Sequence, residues 1–278
     1  MTILWFYIFE RRIRVRCEVA HLRELLLRVY GHMLLTQQND VSCTPDLDYK
    51  IYYSNHSERL ICVHREGCMP EYAEDDGLFL YLFEKDMTVA LERIRHDLFF
   101  LHAAALEYGG NIHLLVAESG GGKSTTSWAL LHHGFRYASD ELAPVQLDSM
   151  KVLTYPHALC LKSEPPLPYN LPDETLCTER TLHVPVKSLP STAVSEVLPL
   201  KSIFFVKYSP ELKSPSVAAV SVAQAGARVY ANGLNQLAHP ADGLDAAIQI
   251  AQHSQCFDLK SVGLESTCQL VIDVLDHS

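Results

Sequence analysis

Residues 112–134 read IHLLVAESGGGKSTTSWALLHHG. Ile112–Val116 is the short, continuous apolar run of a buried strand. Thr125–His133 sets Trp128, Leu130 and Leu131 into a helical stretch, and Gly134 is a natural C-terminal stop. Between them Ala117–Ser124, AESGGGKS, fits the phosphate-loop pattern G-x-x-x-x-G-K-[ST], with Ala117 where the first glycine stands. The residue types follow from the chemistry. Gly120, Gly121 and Gly122 let backbone N–H groups converge on phosphate oxygens, and the helix that follows adds its positive end. Lys123 brings a charge to the β- and γ-phosphates, and the Ser124 hydroxyl is a ligand for Mg²⁺. Glu118, Ser119 and Thr125 complete the nucleotide-facing stretch. The expected ligands are therefore ATP and Mg²⁺; the bland alternative is a chance glycine turn.

Counting backwards, Leu101–Tyr108 reads as a strand and Gly109-Gly110 as a two-residue hairpin turn into the strand from Asn111. Residues paired across that turn sum to 219, which sets His102 opposite Ala117, at the mouth of the loop. A lone histidine is more often structural than catalytic, and this register favours a role. Counting forwards, Phe135–Ser139 is a short strand that ends in Asp140-Glu141. In open α/β sheets ligands gather at the carboxyl ends of strands, so both acids are expected to face the γ-phosphate and the metal. One would orient or deprotonate an acceptor hydroxyl and the other would hold Mg²⁺. The alternative is an acidic helix N-cap.

At this point the chain resembles the catalytic domain of HPr kinase/phosphorylase, whose nucleotide fold is similar to that of phosphoenolpyruvate carboxykinase. That family shows a His, a hairpin, a G-[ED]-S-G-x-G-K-S loop, a helix, then G-H-R-L-x-A-D-D. The matching residues are His102, AESGGGKS at 117–124 and GFRYASDE at 134–141. The likeness covers about residues 98–145 and is loose elsewhere. It implies that Asp140 is the base for the acceptor hydroxyl, with His102 its neighbour in the site. Ser124 would be a metal ligand, with Glu141 and Asp140 also candidates. Glu141 stands where the family has Asp, and the family's later Arg-Gly-Leu-Gly signature is replaced by LTYPHALCLK. The departure bears on phosphorylase activity and on HPr as the substrate. Shorter relatives that phosphorylate modified peptides, such as lasso peptides, match at least as well. Lys162, closing ALCLK, is either a further phosphate contact or a surface lysine.

The chain has 278 residues, 48% of them hydrophobic and 20% charged, as in ordinary globular proteins. Its net charge of −10 argues against a general nucleic-acid binder. Eight cysteines lie without a C-x-x-C pair, which fits reduced thiols rather than a disulfide framework or a zinc site. The apolar run Ile3–Phe9 is followed, not preceded, by its arginines, unlike a signal peptide. No apolar stretch approaches the roughly 18 residues of a membrane span. A cytoplasmic protein with no membrane partner is expected.

Residues 1–86 read as an accessory α/β domain and 87–278 as the phosphate-loop catalytic domain. In the first, IRVRCEV alternates with Arg12, Arg14 and Arg16, a half-exposed strand whose arginines either face solvent or grip an acidic peptide or phosphate. HLRELLLRVYGHML reads as a helix; Tyr49–Tyr53, Arg59–His64 and LFLYLF (78–83) read as strands, EYAEDDG as a turn, and MTVALERIRHDLFF as a helix. From 155 to 200 the chain carries Pro156, Pro165, Pro166, Pro168, Pro172, Pro185, Pro190 and Pro199 and reads as a long irregular lid or substrate loop. SIFFVKY and QCFDLK read as strands, with helical patterns at 238–251 and 265–275. The expected fold is α/β. The expected activity is transfer of the γ-phosphate to a hydroxyl, a serine of a peptide or small protein. A kinase for a small metabolite and a nucleotide-binding regulator without transfer activity are the alternatives, and a homo-oligomer remains open.

Overall fold

The computed structural model describes residues 2–35, 44–54 and 60–277. Strands β1 (Thr2–Ile8) and β2 (Arg11–Cys17) form a hairpin, α1 (Ala20–Tyr30) follows, and β3 (Leu47–Tyr53), β4 (Ile61–Arg65) and β5 (Glu71–Ala73) complete a sheet of order β1-β2-β3-β4-β5. The two-residue period of β2 buries Ile13, Val15 and Cys17 and leaves Arg12, Arg14 and Arg16 half-buried on the other face. Those arginines are largely tied within the sheet: Arg16 donates to Asp48 Oδ2 at 2.7 Å, Arg14 bonds the same carboxylate, and the Arg14 guanidinium sits 5.6 Å from the Trp5 ring centre. Arg59, at the start of one expected strand, lies outside the described residues.

LFLYLF is not a strand. It opens one long helix, α2 (Asp76–Ile94), capped by the Asp75 side chain, which accepts from Leu78 N at 2.5 Å. A continuous apolar run hides its period. Only over the longer span do Phe79, Phe83, Met87, Ala90 and Leu91 emerge as one buried face. The turn EYAEDDG holds β5, and the end of the expected second helix, LFF, is instead strand β6 (Leu98–His102). Position 86 falls inside α2, and the core of the first sheet runs on into Leu98, Phe100, Leu142, Leu153 and Tyr155.

The second sheet has nine strands. After β6 come β7 (Ala104–Tyr108), β8 (Asn111–Val116), α3 (Lys123–Leu131), β9 (Arg136–Ser139), β10 (Leu142–Gln146) and β11 (Lys151–Val152). The proline-rich segment follows with β12 (Leu159–Leu161), β13 (Leu176–Cys177) and β14 (Leu182–Val184). The chain then returns through β15 (Leu198–Tyr208), β16 (Ser216–Ala219), α4 (Val222–Ala231), α5 (Leu244–His253), β17 (Gln255–Ser261) and α6 (Leu264–Asp276). The order is β6-β10-β11-β15-β8-β7-β9, with β17 parallel to the later part of β15 and β16 beyond it. Alternation along β15 shows both faces covered: Ile203 and Phe205 pack with α4 and α5, whereas Phe204 and Val206 pack with α3 and α6. The proline-rich segment is more ordered than its composition suggests. It forms a three-stranded sheet, β12-β14-β13, whose Leu159, Leu161 and Val184 pack with Trp128 of α3. Among the described residues no helix is long and apolar enough to cross a membrane, and the seven described cysteines are free.

Candidate functional site

Strand β8 delivers the chain into the loop 117–122, and α3 begins at Lys123. Gly120 and Gly122 have φ of +82° and +96°, the left-handed region that glycine enters without steric penalty. A Cβ on Gly121 would stand 2.9 Å from the Glu118 carbonyl oxygen. The loop is tied to the end of β15 by Tyr208 N donating to Gly121 O at 3.0 Å. Lys123 is nearly buried and gathers the site: its ammonium donates to the Asp140 carbonyl and lies 3.6 Å from both Asp140 Oδ1 and Glu141 Oε2. Lys162, at the end of β12, reaches back across the loop and donates to Ser119 Oγ at 2.7 Å. The proline-rich segment therefore touches the loop through a lysine.

Asp140 and Glu141 form the bend between β9 and β10, so no helix follows them and neither is a helix cap. Their environments differ sharply. Asp140 is 0% exposed, and its carboxylate feels the charge of Lys123, 3.6 Å away, and the Ser124 hydroxyl. Burial pushes its proton affinity up, against the pull of Lys123. Glu141 reaches the cleft. Despite burial it is held down to about 2, by the hydrogen bond from His102 and then by the charge on Lys123.

His102 reaches this place by a route other than the expected one. The hairpin does pair Tyr108 with Asn111 and Ala104 with Leu115, each sum 219, but that pairing ends there. Ala103 lies between β6 and β7, and His102 pairs with Leu142 of β10 instead of Ala117. That register brings its Nε2 to 3.1 Å from Glu141 Oε2. Its backbone N–H donates to the Asn232 carbonyl at 2.9 Å, fixing the strand end from the far side.

His102, Lys123, Ser124, Thr125, Glu141 and Lys162 all line one cleft of about 320 Å³, together with Glu118, Ser119, Gly120, Gly122, Cys160 and Thr181. None of its lining residues comes from the first sheet or its helices. Behind it lies a buried polar group with no motif to announce it in the sequence. The His157 imidazole is 3.3 Å from Glu84 Oε1 of α2, and Tyr155 donates to the same oxygen at 3.2 Å. Strand β12 adds Cys160, whose sulfur is 3.2 Å from His183 Nδ1.

The cleft suits a Mg²⁺–triphosphate. Its offered oxygens, the Ser124 hydroxyl and the carboxylates, are the hard donors that Mg²⁺ prefers. Among the described residues no three His, Cys, Asp or Glu side chains converge as a metal cluster. Such a site fits an ion held by one or two protein ligands and completed by phosphates and water.

No family model matches the chain, and no curated protein does. Among solved structures it is similar to the HPr(Ser) kinase/phosphatase from Coxiella burnetii, at 12% identity and a TM-score of 0.31, over 64% of this chain and 95% of that one.

Proposed function

We propose that this protein transfers the γ-phosphate of ATP, with Mg²⁺, to a hydroxyl group, that of a serine in a peptide or small protein. The observation that carries the reading is that one cleft over a glycine-built loop gathers Lys123, Glu141 and His102, with the buried Asp140 carboxylate 3.6 Å beneath the Lys123 ammonium. Bound Mg²⁺–ATP supplies the activated phosphoryl group and neutralises charge on it. The chain's own residues then do the rest. The loop N–H groups and Lys123 hold the β- and γ-phosphates, and Lys162 leaves Ser119 to reach the same anion. Ser124 and Glu141 hold the metal, with His102 fixing the orientation of Glu141. As Lys123 turns to phosphate, the Asp140 carboxylate is released from it and accepts the proton of the acceptor hydroxyl at Oδ1 or Oδ2. A raised proton affinity is what a general base operating near neutral pH requires. Catalysis is positioning and charge stabilisation, as in phosphoryl transfer generally.

A second reading, a small-metabolite kinase, draws on the cleft itself: it is lined entirely by residues 102–181 and holds about 320 Å³. That space takes a triphosphate and a small acceptor or one extended side chain, not a folded surface. Incubation with γ-labelled ATP and fractionated lysate of the source cell tests both. Label on a peptide or protein supports the first reading, label on a small molecule the second, and no label above that of the Lys123→Ala variant removes both.

A further inference from the structure

The phosphate loop separates two cavities, and the groups assigned above to transfer use only one of them. The other, about 550 Å³, is larger and lies against the first half of the loop, from Val116 to Gly121. Its floor is the end of β15, its far wall is the last turn of α4, and β17 contributes Asp258. We propose that this second cavity holds the nucleoside of the ATP whose phosphates lie in the loop; the inference rests on the phosphate-loop reading.

The chemistry of the walls carries it. The Arg228 guanidinium sits 5.0 Å from the centre of the nearly buried Phe205 ring and is held over it by a two-point ion pair with Asp258. A planar cation fixed over an aromatic ring, at the edge of the cavity, offers a stacking platform for a flat heterocycle. The Asp258 carboxylate has lone pairs to spare after that pair and is an acceptor for ribose hydroxyls. Asn232 Nδ2 donates to the Arg228 carbonyl at 2.8 Å, which orients the amide, while its Oδ1 accepts nothing from the described residues. That oxygen is left to receive an exocyclic amine or ring N–H. The volume lies within the range of small-molecule and cofactor sites, roughly 300–1,000 Å³. The two cavities share Ala117, Glu118, Ser119 and Gly120, so a single ligand bent over the loop occupies both. The Asn232 carbonyl also receives the His102 N–H, so the nucleoside wall and the transfer groups are joined by one hydrogen bond.

The test compares calorimetric binding of Mg²⁺–ATP and of inorganic tripolyphosphate with Mg²⁺, which has the phosphates and no nucleoside. The wild-type protein is set beside Arg228→Ala, which removes the stacking cation, and Ala231→Trp, which fills the cavity from the exposed end of α4 and leaves every polar wall group in place. The expected result is that wild type binds ATP more tightly than tripolyphosphate. Both variants lose about tenfold or more in ATP affinity, the scale of one stacking contact, and keep tripolyphosphate affinity unchanged, which also shows that the loop is folded. ATP affinity unchanged in both variants overturns the assignment. So does a loss of acceptor phosphorylation at full ATP affinity, which gives the cavity to the acceptor. Failure of the underlying reading looks different: wild type then binds neither ligand, or Lys123→Ala binds both as well as wild type, and the nucleoside assignment falls with it.

Discussion

Asp140→Asn separates what the site needs for folding from what it needs for transfer. The side chain is completely buried, and Lys123 Nζ lies 3.6 Å from one of its oxygens. With an effective dielectric constant of about 20, that attraction is worth roughly 4–5 kcal/mol. Burial nevertheless outweighs it, because the proton affinity of Asp140 is raised, not lowered. The sign follows. A carboxyl with a raised folded-state pKa destabilises the folded protein at any pH above its unfolded value, so neutral Asn relieves a penalty at pH 7. Lys123 keeps Glu141 at 3.6 Å and the Asp140 carbonyl, which asparagine retains. The ligand-free variant is therefore expected to melt at or above the wild-type temperature. Its ATP affinity should stay within a few-fold, while phosphoryl transfer falls by the ~10²–10⁴ typical of losing a general base. Thermal denaturation, calorimetry and a labelled-phosphate assay on this one variant read all three quantities. A lower melting temperature would refute the electrostatic argument. Weakened Mg²⁺–ATP binding would make Asp140 a metal ligand, and full transfer activity would remove it from the mechanism.

Other expectations follow from the same geometry. Lys123→Ala should abolish measurable ATP binding by calorimetry, because it removes the buried ammonium at the start of α3; unchanged binding would refute the phosphate-loop assignment. Gly122→Ala forces a side chain to φ +96°, at a cost of about 1–3 kcal/mol, and should weaken ATP binding while leaving the nine-stranded sheet intact by circular dichroism. Lys162→Ala should raise the KM for ATP several-fold with a smaller effect on folding, since the Lys162–Ser119 bond is exposed; an unchanged KM would make it a surface lysine. His113 is buried between Ser202 Oγ, at 2.7 Å, and the Tyr108 carbonyl, at 3.1 Å, and burial lowers its pKa to about 4. The folded form stays neutral while the unfolded chain takes up a proton below about 6.5. Stability is thus lost as pH falls from about 6.5 to 4, by on the order of 3 kcal/mol from this residue. His113→Gln should flatten the pH dependence of the urea midpoint over that window, and an unaltered slope would count against the argument.

The local parts of the site are legible in the chain because each depends on neighbours in sequence. A strand, glycines that reach left-handed φ, and a lysine at the first helical position are one continuous segment, and β8, the loop and α3 fall where 112–131 predicts. The hairpin register was readable for the same reason, since two glycines with positive φ set the pairing of their own flanks. It stopped being readable at Ala103, where β6 leaves the hairpin to pair with β10, a strand forty residues later. His102 meets Glu141 through that exchange, and no local count contains it. The contrast between Asp140 and Glu141 is of the same kind. Adjacent acids have identical intrinsic chemistry, and only tertiary burial raises one and lowers the other. The helix through LFLYLF, the small sheet in the proline-rich segment, and the wall of Arg228, Asn232 and Asp258 were likewise invisible. Each is decided by which apolar faces the packed molecule removes from water, or by residues more than a hundred positions from the loop. The sequence by itself determined the strand, the glycine loop and the helix that starts at Lys123, because these take only consecutive backbone. Which carboxylate is buried, which histidine orients the other, and what lies beyond the loop were decided by the tertiary structure, because they depend on distance through space.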